Sequence, residues 1–296
     1  MTATSEERPR EVPSDGIQRS YLDAYLKRIQ YSGARSPTLA TLKSIHLLHP
    51  QHIPFENLNP LLRIPVKLDL ASVVNKMISG RRGGYCFEHN LILKTMLEWL
   101  GFKVKGLGAR VVWNQPADAI TARGHMLLLI DLEGIRYIAD VGFGGMTLTS
   151  PLELKAGESQ QTPHETFRLV EIADEYRLEG LLRGEWKALY RFGLQEQFPI
   201  DYEVSNWYLS NHPESNFVTN LIAARVGEDC RHTLRNNEYA IHYLNEDTEK
   251  RMVKDVDDLE LLLTSVFDIA IPDHPDARSI FKQTLDRTAG NNTQRP

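Results

Sequence analysis

Apolar residues in the first part of the chain recur at the i, i+3, i+4, i+7 spacing that is typical of amphipathic helices. Three stretches share this spacing: Leu22, Tyr25, Leu26 and Ile29; Leu70, Val73, Val74 and Met77; and Leu93, Met96, Leu97 and Leu100. The helix start signals are Ser14-Asp15, Ser36-Pro37 and Asp69. Gly101 is a stop signal for the third stretch. Residues 52–58 contain a proline and lack a clear period, so we expect a loop there.

From Phe102 onward the pattern changes to short runs rich in β-branched and aromatic residues. These runs are residues 104–113, 126–130, 135–141, 167–172, 176–181 and 186–192. Turn signals separate several of them, namely Glu133-Gly134, Ala173-Asp174 and Arg183-Gly184. Consecutive short strands favour an antiparallel sheet or barrel over alternating strand–helix units.

The last part of the chain has a mixed pattern. Leu259, Leu262, Leu263 and Val266 form one helical face, and Asp276 is expected to cap a terminal helix that extends through Leu285. The small polar residues 289–296 are expected to be disordered. A chain of 296 residues can bury a large core, and we expect two or three closely packed subdomains.

Composition and charge narrow the function classes. The formal net charge of -5 argues against a dedicated nucleic-acid-binding protein. No apolar run is long enough to span a bilayer, and residues 1–15 lack the basic start and apolar stretch of a signal peptide. We therefore expect no membrane partner and a cytoplasmic location, whereas the pattern does not reveal the oligomeric state.

Two cysteines, Cys86 and Cys230, are too few for a disulfide framework. Cys230 is expected to be an ordinary buried or exposed side chain. Cys86 follows Gly83-Gly84 and opens a predicted helix, where free backbone N–H groups and the positive end of the helix dipole lower the pKa of a thiol. Its own N–H is available to an oxyanion, and the glycines are expected to let a substrate carbonyl approach the backbone. Cys86 is therefore the predicted nucleophile.

A predicted hairpin supplies a base and a group to orient it. If residues 133 and 134 form a two-residue loop, His125 lies opposite Gly142, and Asp140 emerges on the same face as a diagonal neighbour, roughly 5–8 Å away at Cβ. At that distance a carboxylate can accept the Nδ1–H of the imidazole. His89 is a poorer base because it lies one turn after Cys86 in the same helix. The predicted catalytic set is Cys86, His125 and Asp140.

Several segments together resemble the arylamine N-acetyltransferases. They are Pro54-Phe-Glu-Asn-Leu58, Arg82-Gly-Gly-Tyr-Cys-Phe-Glu88, His125 ahead of a strand, Asp140-Val-Gly-Phe-Gly144 and Asn206-Trp-Tyr-Leu-Ser-Asn-His-Pro213. The similarity extends from about Arg28 to past Arg225, with the motifs in the same order and spacing as in that family.

The resemblance implies an α+β fold on a cysteine-protease or transglutaminase-like catalytic core. Residues 1–101 would form a helical bundle with the nucleophile, 102–204 an antiparallel β-barrel with the histidine and aspartate, and 205–296 an α/β lid with a disordered tail. The implied reaction is a ping-pong transfer from acetyl-CoA, through an acetyl-cysteine, to an arylamine, arylhydrazine or N-arylhydroxylamine. The cosubstrate is acetyl-CoA, and no metal is expected.

The resemblance also implies an acceptor pocket lined by Phe55, Phe143 and Phe217, although ordinary core packing is an equally good interpretation of each phenylalanine alone. Similarly, Arg28 and Glu56 correspond to an ion pair that braces the active-site loops in that family, with a surface pair of small effect as the alternative.

Three other functions remain open from the residues alone. A papain-like or transglutaminase-like hydrolase uses the same nucleophile, base and orienting group. A structural zinc site could use Cys86 with His89 and Cys230 with His232, although the second spacing is short. A non-catalytic binding protein on the same scaffold would be expected to lack a member of the catalytic set.

Overall fold

The first part of the chain is mainly helical, as the pattern predicts. The structure, a computed structural model, describes residues 15–292, with side chains through residue 286. The elements in chain order are α1 (Asp15–Arg28), α2 (Leu39–His52), β1 (Phe55–Glu56), α3 (Leu58–Leu61), α4 (Leu70–Val74), a π-helical segment (Asn75–Ser79) and α5 (Cys86–Trp99). Ser14, half of the first start signal, lies outside the described residues.

The helix boundaries follow local capping. Asp69 caps α4 by accepting the Ser72 N–H at 2.9 Å, and Gly101 adopts a φ of 91° just after α5, so both predicted signals are confirmed. The predicted start at Ser36-Pro37 is slightly early because Thr38 is the N-cap of α2. The segment expected to be a loop contains β1, a two-residue strand too short to show a period.

An eight-stranded antiparallel sheet follows within the described residues. Its strands are β2 (Lys103–Val111), β3 (His125–Leu132), β4 (Ile135–Ala139), β5 (Leu152–Glu153), β6 (Ser159–Gln161), β7 (Thr166–Ile172), β8 (Glu175–Leu182) and β9 (Glu185–Glu196). Their spatial order is β5-β4-β3-β2-β9-β8-β7-β6. A bridge joins Ala156, just after the edge strand β5, to Leu169 of β7 near the other edge, so the sheet is a nearly closed barrel, which confirms the predicted architecture.

The last part combines helices with a second sheet. Its elements are α6 (Pro199–Asn211), α7 (Asn216–Thr219), β10 (Ile222–Val226), β11 (Cys230–Arg235), β12 (Glu238–Tyr243), β13 (Glu249–Met252), α8 (Val256–Ser265) and α9 (Ala277–Asn292). The predicted boundary after residue 204 falls inside α6. The terminal helix extends past Leu285 to Asn292, so it includes part of the tail expected to be disordered, and residues 293–296 lie outside the described part.

The second sheet has the order β1-β10-β11-β12-β13, so the N-terminal part of the chain supplies its edge strand. Phe55 pairs with Ala224 and Glu56 with Ala223. This pairing places residues 55–56 and the C-terminal sheet beside the start of α5. The α+β class is confirmed.

The core behind the catalytic candidates is formed by α5 and the first barrel strands. Leu93 and Met96 of α5 belong to one buried cluster with Val104 of β2 and Leu128 and Ile130 of β3. Burial of such side chains stabilises the fold by about 1.5–3 kcal/mol each. Among residues 15–292, no helix combines the length and apolar character needed to cross a membrane.

Candidate active site

Cys86 is the first residue of α5 and is almost fully buried, with 3% of its surface exposed. The carboxylate of Glu88 accepts the N–H of Tyr85 at 3.1 Å and thereby caps the helix just ahead of the thiol. The Cys86 thiol donates a hydrogen bond to the carbonyl oxygen of Gly124 at 3.6 Å. The sulfur therefore lies at the positive end of α5, beside the residue that precedes His125.

Gly83 and Gly84 lie where other segments of the chain pack too closely for a side chain. A Cβ on Gly83 would lie 1.8 Å from the Pro54 oxygen, and one on Gly84 would lie 2.6 Å from Oε2 of Glu88. The Gly84 oxygen also accepts the Glu56 N–H at 2.8 Å. These positions require glycine because residues 54–56 and the helix cap pack directly on them. The expectation that the glycines let a substrate carbonyl approach the backbone stays a prediction beside this packing role.

The β3–β4 hairpin has the predicted register, with Leu132 paired with Ile135 and Leu128 paired with Ala139. It brings His125 and Asp140 together, both buried, with 2.7 Å between Nε2 of His125 and Oδ2 of Asp140. The prediction that Nδ1 of His125 faces Asp140 is wrong, since the Asp140 carboxylate contacts Nε2. The imidazole thus keeps its Nδ1 edge free of the carboxylate.

The charge state of His125 is set by opposing effects. Burial by itself lowers the pKa of His125, but the charge of Asp140, their hydrogen bond and the interaction with Cys86 together raise that pKa from 6.5 to about 10. Burial would raise the pKa of Asp140, but the charge and hydrogen bond of His125, with other donors, lower it instead. The favoured state at neutral pH is an imidazolium beside a carboxylate.

Asn90 forms a hydrogen bond with Asp140 and was not predicted from the sequence. Its amide donates to Oδ1 of Asp140 at 3.0 Å and to the Met126 oxygen at 2.7 Å, while its oxygen accepts the Val141 N–H at 3.2 Å. The Gly142 N–H donates to the same carboxylate oxygen at 2.9 Å. The i, i+4 spacing from Cys86 places Asn90 on the same face of α5, and this is the sequence signal that could have identified it.

His46 of α2 contacts the backbone of the same aspartate. Its Nε2 accepts the Asp140 N–H at 3.1 Å, so the proton of the neutral ring is on Nδ1. Burial lowers the pKa of His46 to about 4, which keeps the ring neutral. No periodic pattern links these two residues, and the sequence gives no signal for this contact.

Aromatic rings surround His125. Phe143 packs edge-on against it with 5.3 Å between ring centroids, and Tyr190 lies 5.0 Å away. The Tyr190 hydroxyl is buried without a hydrogen bond of ordinary geometry. Burial first, and then the nearby charge of Asp140, raise the pKa of Tyr190 well above its usual value. Two aromatic rings therefore cover the imidazole and help to bury it.

The three candidate phenylalanines do not form one cluster of contacts. Phe55 lies 6.1 Å from Phe217 between ring centroids, and Phe217 packs edge-on against Tyr85 at 5.3 Å. Phe143 contacts His125 instead. Phe55 is buried, while Phe143 and Phe217 are partly exposed. The rings thus flank the active-site segments, with Phe55 and Phe217 next to residue 85 and Phe143 next to the imidazole.

The ion pair expected between Arg28 and Glu56 is replaced by two separate networks. Arg28 pairs with Asp268 at 3.3 Å. Glu56 is buried and pairs with Arg82 at 2.7 Å and with Lys76 at 3.8 Å. Because Arg82 directly precedes Gly83-Gly84, the second network braces the turn that leads into α5.

The four zinc candidates lie in two different elements, Cys86 and His89 in α5 and Cys230 and His232 in β11, where Sγ of Cys230 lies 3.5 Å from Nε2 of His232. The His89 ring contacts His49 and the Pro54 oxygen, while Nδ1 of His232 lies 2.8 Å from the Tyr239 hydroxyl. Among the described residues, no group of three or more His, Cys, Asp or Glu side chains is arranged to hold a metal ion. Both cysteines are free thiols.

Comparison with known proteins places this chain in a family. Residues 38–275 match the family model described as N-acetyltransferase. An arylamine N-acetyltransferase of Mycolicibacterium smegmatis is 48% identical over 225 residues, which cover 75% of this chain and 82% of the relative.

Solved structures that resemble this chain belong to the same family as that relative. A Mycobacterium smegmatis N-arylamine acetyltransferase with a cysteine replaced by glutamine has a TM-score of 0.86 at 42% identity, covering 90% of this chain and 99% of that one. The Mycobacterium marinum arylamine N-acetyltransferase in complex with CoA has a TM-score of 0.84 at 40% identity, covering 90% and 98%. The chain therefore belongs to the arylamine N-acetyltransferase family.

Proposed function

We propose that the protein transfers the acetyl group of acetyl-CoA to arylamines, arylhydrazines and N-arylhydroxylamines through an acetyl-Cys86 intermediate. The observation that carries the proposal is the buried His125–Asp140 pair at 2.7 Å beside a thiol at the N-terminus of α5. The CoA in the related Mycobacterium marinum structure supports a CoA thioester as the donor. Within this proposal Cys86, His125 and Asp140 are the catalytic residues.

In the first half-reaction, the Cys86 thiolate attacks the thioester carbonyl carbon of acetyl-CoA. The Cys86 N–H lies in the first turn of α5, where helix geometry leaves it without an intrahelical acceptor, so it can stabilise the oxyanion of the tetrahedral intermediate. The carbon–sulfur bond to CoA then breaks, and the His125 imidazolium protonates the departing thiolate. Asp140 stabilises the positive charge on the ring until that transfer.

In the second half-reaction, the amine nitrogen attacks the acetyl carbon on Cys86. The now neutral His125 accepts the amine proton as the carbon–sulfur bond to Cys86 breaks, which restores the thiolate and the imidazolium. The products are the N-acetylated amine and the resting enzyme. We assign Phe55, Phe143 and Phe217 to the wall that receives the aromatic acceptor, since their rings flank Tyr85 and His125.

Mass spectrometry after treatment with acetyl-CoA tests the intermediate. We expect one acetyl group on Cys86, and none after Cys86→Ala. Cys230→Ala is the matched control and should acetylate at the wild-type rate, because Cys230 lies in β11 of the other sheet, outside the described contacts of His125.

CoA thiol release with and without an arylamine then separates transfer from hydrolysis. We expect release beyond the first turnover only when the amine is present. Continuous release without amine would support a hydrolase instead, and failure to acetylate Cys86 would refute the proposed intermediate.

A further inference from the structure

A chain of buried hydrogen bonds runs from α1 through α2 and α5 to residue 54. The Tyr25 hydroxyl lies 2.9 Å from Nδ1 of His49, and Nε2 of His49 lies 2.8 Å from Nδ1 of His89. Nε2 of His89 lies 3.1 Å from the carbonyl oxygen of Pro54. All three side chains are fully buried. The proposed mechanism uses none of them.

The direction of this chain follows from its last acceptor. The Pro54 oxygen can only accept, so His89 carries its proton on Nε2 and offers Nδ1 as an acceptor. His49 must then donate from Nε2 and accept at Nδ1, which leaves the Tyr25 hydroxyl as the first donor. Burial lowers the pKa of His89 to about 4 and that of His49 well below 6.5, so both rings are neutral at pH 7. One proton arrangement therefore satisfies every member of the chain.

The chain ends on the segment that carries a wall of the proposed acceptor pocket. The Phe55 ring lies parallel to the His89 ring, with 5° between the planes and 6.3 Å between centroids. Phe55 also forms a bridge with Gly84, just ahead of Cys86. His89 thus contacts residues 54 and 55 from the first turns of the nucleophile helix.

The chain does not contact the proposed proton-transfer path. Nδ1 and Nε2 of His89 are both engaged, by His49 and by the Pro54 oxygen, and neither hydrogen bond involves Cys86 or His125. Residue 56, which bonds to the Gly84 oxygen ahead of the thiol, is held separately by Arg82 and Lys76. Loss of the His89 bond should therefore loosen Phe55 while the thiol and its base stay in place.

We propose that His89 is a positioning residue for the aromatic acceptor, holding Pro54 and Phe55 in place, with its tautomer fixed by the Pro54 oxygen and complemented by His49 and Tyr25. The inference rests on the proposed function because it assigns Phe55 to the acceptor pocket. It goes beyond that function in assigning a role to a buried network that takes no part in proton transfer. The two half-reactions of a ping-pong enzyme allow this role to be measured separately.

The test compares His89→Asn with His89→Gln. An asparagine places a polar group near the Nδ1 position and cannot reach the Pro54 oxygen, whereas a glutamine places an N–H near the Nε2 position and can donate to it. We expect His89→Asn to raise the KM for an arylamine about five- to tenfold, the equivalent of roughly one lost buried hydrogen bond. Acetylation of Cys86 by acetyl-CoA should stay within about twofold of the wild type, and His89→Gln should recover most of the acceptor KM.

Tyr25→Phe is a second variant, remote from the site and conservative in volume. It removes only the first donor, so we expect a smaller rise in acceptor KM, about two- to threefold, again without a change in Cys86 acetylation. Nitrogen-15 NMR of histidine-labelled protein should show His49 and His89 as neutral Nε2–H tautomers in the wild type. In Tyr25→Phe we expect the His49 ring to stay an Nε2–H tautomer, because Nδ1 of His89 still needs a donor. Its Nδ1 loses the Tyr25 hydrogen bond, so only the Nδ1 resonance should shift.

Several outcomes would overturn the inference. Equal loss in both half-reactions for His89→Asn would indicate a general structural role, and an unchanged acceptor KM would indicate none. An Nδ1–H tautomer at His89 would contradict the hydrogen-bond chain itself. A wild-type protein that fails to acetylate Cys86 would instead refute the proposed function, and the acceptor role of His89 with it.

Discussion

At the scale of single residues, the charge on His125 depends on one carboxylate. Asp140 is held in place by the Asn90 amide and the Gly142 N–H, both on Oδ1, so that Oδ2 faces the imidazole. Because the pKa of His125 is raised from 6.5 to about 10 in the folded protein, the ion pair stabilises the fold fully below pH 6.5. That contribution is lost as the pH rises through about 10.

Asp140→Asn should convert His125 into a neutral ring at pH 7. The amide oxygen can keep the bonds from Asn90 and Gly142, but without the negative charge the effect of burial is unopposed, and the pKa of His125 should fall below 6.5. We expect Cys86 to be alkylated by iodoacetamide about 10²-fold more slowly at pH 7, since the thiolate loses its cationic partner.

A histidine-resolved NMR titration measures this pKa directly. Asn90→Ala is the control, because it removes a hydrogen bond and leaves the charge of Asp140, so the pKa of His125 should stay above 6.5. If His125 remained charged at pH 7 in Asp140→Asn, the carboxylate would not be the source of the raised pKa.

The register of the predicted hairpin was sufficient to place His125 beside Asp140. Once the two-residue loop is identified, the alternation of side chains along each strand determines which residues share a face. The ring nitrogen could not be predicted in the same way, since it depends on the χ2 rotation of the imidazole rather than on register. Asn90 and His46 were missed for a related reason. Their hydrogen bonds join helices to residues just after β4, distant in sequence. The i, i+4 spacing places Asn90 on the face of Cys86, but no period tells what that face contacts.

At the scale of elements, the site depends on how closely α5 approaches the end of β4. A Cβ on Gly142 would lie 2.8 Å from the Cα of Cys86 and 3.0 Å from Nδ2 of Asn90. A backbone atom of a buried helix cannot move aside as a flexible side chain can. The absence of a side chain at residue 142 is therefore what lets the nucleophile helix and the hairpin pack together.

Gly142→Ala should force α5 and the hairpin apart. We expect a loss of about 1–3 kcal/mol in the free energy of unfolding, measured by urea denaturation, and slower acetylation of Cys86. Gly193→Ala in β9 is a matched control, since its nearest neighbour, the Asp174 oxygen, would lie 4.0 Å away, and its effect should stay within about 0.5 kcal/mol. Equal stability of the two variants would argue against a tight contact at residue 142.

Most elements were predictable because their apolar periods extend over several turns or strand residues. β1 was not, because two residues cannot display a period and Pro54 favours a loop interpretation. Its strand geometry comes from pairing with β10. A tertiary contact, rather than local preference, decides the conformation of residues 55–56.

At the scale of the whole molecule, Asn57 fastens the N-terminal part of the chain to the C-terminal part. Its amide donates to the Phe217 oxygen at 2.7 Å and to the Asn220 oxygen at 2.6 Å, and its own oxygen accepts the Ile222 N–H at 2.7 Å. Asn57 is 1% exposed. These bonds hold α7, which carries Phe217, beside β1.

Substitutions at Asn57 should therefore weaken the whole fold and the acceptor site together. Asn57→Ala leaves buried backbone groups without partners, and we expect a loss of about 2–4 kcal/mol in the free energy of unfolding. Asn57→Asp should cost more, despite its shape, because it turns a buried negative charge toward two carbonyl oxygens. Urea denaturation at pH 7 measures both, with exposed Asn211→Ala as the control. Asn57→Asp with the stability of the wild type would contradict the hydrogen-bond assignment.

The pairing of Phe55 with Ala224 also has a consequence for biosynthesis. A ribosome releases Cys86, His125 and Asp140 long before residue 224 emerges, and closing so long a loop is slow because its entropy must be lost before the strand contacts form. We expect the helices and the barrel to condense first on the nascent chain, with the thiol already in place. The wall at Phe55 can then be completed only after residue 224 has been synthesised, so recognition of an acceptor should be among the last properties that the protein acquires.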